Sequence, residues 1–100
     1  MFAILTKLKN DKHKYEVLFI DEIGHRKIKF GAEGYPDYTI GATPEQKKAY
    51  INRHKLRENW TSPYTKGFWS KHVLWNMPTI EQSLKKIAKD FGINVIYSNL

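Results

Sequence analysis

Asp37, Glu45 and Lys47 stand in the order acid, acid, lysine. Many metal-dependent nucleases use that order, with two carboxylates holding magnesium and a lysine polarising water. The neighbouring residues argue against it here. Thr43 is a helix N-cap type, Pro44 suits a first helical position, and Gln46 completes a capping box with Thr43. Glu45 therefore falls in the first turn of a helix, where the helix dipole already accounts for an acid. His54 and His72 with Asn59 or Asn76 could form a histidine-asparagine-histidine nuclease pattern, which needs its basic histidine on a strand. Both histidines fall instead on expected helices among aromatics, which suits a packed imidazole with one hydrogen bond. The chain has no cysteine, no HExxH, no phosphate-binding glycine loop and no Gly-x-Ser-x-Gly. No catalytic residue, metal ligand set, cofactor or small-molecule substrate is assigned, and a metal-dependent nuclease stays a remote alternative.

What remains is positive charge interleaved with aromatics. The formal charge is +7, unevenly divided. Residues 1–43 carry seven Lys/Arg against six Asp/Glu, and residues 44–100 carry ten against four. Lys48, Arg53, Lys55 and Arg57 crowd around one short helix, where they could neutralise phosphates or an acidic protein face. Trp60 and Tyr64, in the loop that follows, are candidate aromatic anchors. The bland counterparts are a solvated basic surface that keeps the protein in solution and tryptophans spent on the core. All three tryptophans lie between Trp60 and Trp75, and a small domain must bury most of them to build an interior.

The elements that must position these residues read as a small single α+β domain over residues 1–100. An N-terminal three-stranded antiparallel sheet is covered by about three C-terminal helices. Residues 1–30 are a β-meander. Phe2 to Leu8 alternates but is nearly apolar on both faces, Tyr15–Ile20 is rich in aromatic and β-branched residues, and Ile28 and Phe30 oppose Lys27 and Lys29. Asn10–His13 and Asp21–Gly24 supply the turns. Residues 31–43 are an ordered loop pinned by Tyr35, Tyr38 and Ile40. Residues 44–92 are helical. The first helix runs to about Glu58. The second, Gly67–Met77, is the central core element, with Phe68, Trp69, His72, Val73 and Trp75 on one half of its circumference and Leu74 and Met77 outside it at 100° per residue. The third is capped by Thr79 with Gln82, carries the stripe Ile80, Leu84, Ile87 and Phe91, and stops at Gly92. The tail, 93–100, is β-branched enough to return as a strand.

The run Lys29-Phe30-Gly31, Gly34-Tyr35, Asp37-Tyr38-Thr39-Ile40, Tyr50-Ile51, Arg53-His54, Glu58-Asn59-Trp60-Thr61, Gly67-Phe68-Trp69-Ser70 and Leu74-Trp75-Asn76 resembles a family of short basic proteins of unknown function carried by giant and other large DNA viruses. The likeness covers roughly residues 15 to 92. The family's tryptophan-rich helix often ends Lys-Trp-Leu-Leu-Trp-Asn, where this chain has His72 and Val73 at two of the positions. The resemblance implies a viral source, in the host cytoplasm or the virion. With no signal peptide, and with no apolar run near the roughly 18 residues of a membrane span, the chain reads as soluble. A small basic viral protein suits two roles. One is a binding or assembly module for nucleic acid; the alternative is a minor virion or capsid component that binds larger proteins. A binding module gathers its cations on one face, whereas an assembly piece exposes an apolar patch of several hundred Å².

Overall fold

Three strands at the N-terminus, β1 (Phe2–Lys7), β2 (His13–Ile20) and β3 (His25–Ala32), pair antiparallel in sequence order. Local chemistry closes both hairpins. In the first, the Leu8 N–H donates to the Lys14 carbonyl at 2.9 Å, Asn10 takes a φ of 54°, and the Asp11 carboxylate accepts from the His13 N–H at 2.8 Å. In the second, the Asp21 carboxylate accepts from the N–H groups of Ile23 and Gly24. The computed structural model describes residues 1–98.

A fourth strand, β4 (Asn94–Ser98), corrects the expected three-stranded sheet. It lies parallel to β1, giving the order β3-β2-β1-β4. The expected tail does return as a strand, while residues 99 and 100 of that tail lie outside the described residues. The physical reason lies in β1. With apolar residues on both faces and its second edge open, it needs a partner, and the chain re-enters where the Asn94 N–H donates to the Met1 carbonyl at 3.2 Å.

Strand alternation divides the sheet into two unlike faces. The inner face carries Ala3, Leu5, Tyr15, Val17, Phe19, Ile28 and Phe30, all buried. On the outer face the register sets Phe2 beside Ile20 and Ile4 beside Leu18, with Ile96 on the far side of Ile4. Phe2 and Ile96 are exposed there, and Ile4, Leu18 and Ile20 are partly so.

Three helices, α1 (Pro44–His54), α2 (Lys66–Trp69) and α3 (Ile80–Phe91), complete the α+β domain. Phe68, Trp69, Val73, Leu74, Ile87 and Ile93 close over the inner sheet face. Each large apolar side chain buried this fully contributes about 1.5–3 kcal/mol. The caps read from the sequence form: the Thr43 Oγ1 accepts from the Gln46 N–H at 3.1 Å, and the Gln46 Oε1 accepts from the Thr43 N–H at 2.8 Å. Thr79 likewise accepts from the Gln82 N–H, and Gly92 stops α3 at a φ of 67°. Among the described residues no helix is long and apolar enough to cross a membrane.

Three local expectations change. The first helix ends at His54, short of Glu58, and Leu56 beyond it is 90% exposed, so nothing apolar holds the chain helical there. The expected second helix is α2 followed by a wider π-type turn, Ser70–Leu74. Each residue then advances by less than 100°, which carries Leu74 from the predicted outside into the core at 2% exposure. In the loop after β3, Tyr35 and Ile40 are 67% and 66% exposed and pin nothing. Asp37 holds that loop instead.

Candidate functional site

Asp37 is the place to begin, because its burial organises one wall of a broad cleft. It sits after Pro36 at the start of a 3-10 turn, Tyr38–Ile40, where its Oδ1 accepts from the Thr39 N–H at 2.8 Å and from the Thr39 hydroxyl. Its Oδ2 accepts from Lys14 Nζ at 2.6 Å. Both side chains are buried, at 6% exposure for Lys14 and 2% for Asp37. The same ammonium donates to the Tyr35 carbonyl. A buried ion pair stands only when its geometry and extra hydrogen bonds offset the desolvation of both charges, and these two have such bonds. Asp37 is thus a structural clamp. The other two residues of the acid-acid-lysine order sit apart from it: Glu45 lies in the first turn of α1, and Lys47 donates to the Asn76 carbonyl at 2.6 Å with its ammonium over the Tyr38 ring.

The clamped loop faces α1 and α2 across a cleft of about 950 Å³. Tyr50 and Trp75 form the far wall, stacked almost parallel at 4.6 Å between centroids, and His54 also stacks on Tyr50 at 4.4 Å. Contacts of this kind add about 0.5–1.5 kcal/mol each. Burial pushes the Tyr50 phenol upward, with the Glu58 charge adding to it. Glu58 is spoken for: its Oε1 lies 3.0 Å from His54 Nδ1, its Oε2 accepts from the Trp60 indole N–H at 3.0 Å, and Gly67 packs against it so closely that a Cβ there would come within 2.9 Å of Oε2.

Lys12 from the first hairpin, Arg53 from α1 and Lys66 from the start of α2 also line the cleft. Among the described residues none of these three forms an ion pair. Of the lining carboxylates, Asp37 and Glu58 are engaged as above, which leaves Glu33 without a cationic partner among the described residues. Among the described residues no group of three or more His, Asp or Glu gathers as a metal-ligand set.

The residues singled out in the sequence are therefore only partly brought together. Arg53 enters the cleft; Lys48, Lys55 and Arg57 are exposed around α1 and its C-terminal turn, outside the lining. Trp60 is half-buried, tied to Glu58 by its indole and lying beneath the Lys71 ammonium at 5.6 Å. Tyr64 sets its ring edge-on to Phe19 at 5.3 Å. Trp69 is fully buried and donates its indole N–H to the Pro63 carbonyl at 2.8 Å. His72, packed against Phe68 and Phe91, has its Nε2 2.8 Å from the Trp60 carbonyl, and burial holds its imidazole below the ordinary value. Sequence reasoning missed Lys12, Lys66 and the exposed ring of Tyr35. Of these only Tyr35 carried a signal, an aromatic between a glycine and a proline, where a loop would present it.

No curated protein and no solved structure matches the chain. Residues 3–54, just over half of it and the part that supplies β1 to β3, the clamped loop and α1, match DUF5754, a family of unknown function, and the chain belongs to that family.

Proposed function

We propose that the protein is a non-enzymatic binding module, of the viral kind its resemblance suggests, whose acidic partner is nucleic acid docked on the cations of α1. The observation that carries this is the position of Arg53. It belongs both to the exposed set Lys48, Lys55 and Arg57 and to the cleft that Lys12 and Lys66 line, so α1 links a surface charge cluster to a recess. Affinity for nucleic acid should fall steeply with salt, with a log–log slope near the number of phosphates neutralised, about three or four. Reversing Arg53 and Arg57 to glutamate should remove most of the affinity and leave the circular dichroism spectrum unchanged. Titrating labelled DNA at two salt concentrations tests it; no binding at low salt overturns it.

A second reading, assembly with larger virion proteins, is favoured by a different observation. The outer sheet face presents Phe2, Ile4, Leu18, Ile20 and Ile96 as neighbours, with Phe2 and Ile96 exposed and the other three partly so. Contiguous apolar surface of this kind marks an interaction site. On this reading association is salt-insensitive, and Leu18→Lys abolishes it while Arg53→Glu does not.

A further inference from the structure

We infer that the cleft seats single-stranded rather than double-stranded nucleic acid, taking one nucleotide with its phosphate toward Lys12, Arg53 and Lys66 and its base on Tyr35. This rests on the nucleic-acid reading above and adds to it the form of the ligand. The shape of the site is the first argument. Duplex DNA is read by a protruding helix or two-stranded ribbon that enters a groove. Here the converging cations line a recess of about 950 Å³, within the range of ordinary ligand pockets, and a recess receives a splayed-out nucleotide.

The mounting of Tyr35 is the second. An aromatic side chain 67% exposed is an unusual thing to hold rigidly, yet its backbone is fixed on both sides. Its N–H donates to the Ala32 carbonyl at 3.2 Å, its carbonyl accepts from the buried Lys14 ammonium, and Asp37, two residues on, is locked to that same ammonium. A stacking platform whose backbone is already ordered gives up little freedom when a base settles on it.

The third argument is charge. Lys12, Arg53 and Lys66 come from three separate elements and meet at one cleft without an ion pair among the described residues. Two of the acids lining the cleft are already satisfied by Lys14, His54 and Trp60. Glu33 is not, so it opposes a bound phosphate, and Glu33→Gln should tighten binding.

The test uses the whole chain with two fluorescent probes, an oligothymidylate of about a dozen residues and a duplex of equal length, a size suited to one small binding domain. The single strand should bind more tightly than the duplex. Tyr35→Ala should weaken single-strand binding roughly fivefold to a hundredfold, as loss of one stacked base does, while Tyr35→Phe retains it and duplex binding stays unchanged. Because the Tyr35 ring is exposed, the alanine variant should keep the wild-type circular dichroism spectrum and melting temperature. If the duplex binds as well as the single strand, or Tyr35→Ala changes nothing while the Arg53 and Arg57 reversals still abolish binding, the single-strand assignment is wrong and the broader reading stands. If neither probe binds at low salt, both fall.

Discussion

Lys14 and Asp37 sit 23 positions apart in sequence and form the structural clamp on which one wall of the cleft depends. Removing one member of a buried pair strands the other charge, at a cost of about 3–5 kcal/mol. Asp37→Ala should therefore destabilise the fold by that order, read as a lowered urea midpoint, and should loosen the loop that carries Tyr35. Lys14→Met combined with Asp37→Leu removes both charges and should recover much of the loss. Equal destabilisation by the single and double variants would contradict the clamp. Nothing in the local sequence announces this pair. Alternation along β2 buries Tyr15, Val17 and Phe19 and would send Lys14 outward, yet Lys14 is buried, with its ammonium held by the Tyr35 carbonyl and Asp37 of the loop.

At the level of the elements, the caps and hairpins were legible because their chemistry is local: a threonine and a glutamine three residues apart, or an aspartate two residues before the N–H it accepts from. The segment from Lys66 to Leu74 was legible as core but not in its geometry, since a projection at 100° per residue cannot anticipate a π-type turn. That segment also sets a pH response. His72 packs between Phe68 and Phe91, and burial depresses its pKa below 6.5, partly countered by its contact with the Trp60 carbonyl. The unfolded chain then takes up the proton first, so this contribution to stability is complete above about pH 6.5 and declines as pH falls through that value. Urea midpoints should drop between neutral pH and pH 5, and His72→Phe should flatten the decline. The Asp11 carboxyl acts in a different window. Lys29 and the His13 N–H lower its pKa from 3.8 to about 2, so its share is lost only as pH falls below about 4. An unaltered slope in the His72 variant would remove the histidine from the account.

Across the whole molecule, the cleft was the least legible feature, because Lys12, Arg53 and Lys66 come from distant stretches that only the tertiary fold brings together. The match to the family stops at residue 54, but the core does not. Phe68, Trp69, Val73, Leu74, Ile87 and Ile93 cover the sheet from beyond that boundary. A fragment of residues 1–54 should show no cooperative thermal transition by circular dichroism, and a sharp melt from it would show that the matched part is a folding unit by itself. The position of β1 carries the point into the cell. β1 is made before the strands on either side of it, β2 and β4, and its register joins Ala3 to Val95. A ribosome must therefore release everything from β1 through β4 before the sheet can close. Until then the nascent protein holds out an unpaired strand edge beside Phe2 and Ile4, a natural template for pairing with other chains. Its yield in a cell should be governed by how quickly translation reaches β4, so slow codons between α3 and β4 would lower the soluble fraction without altering a single residue.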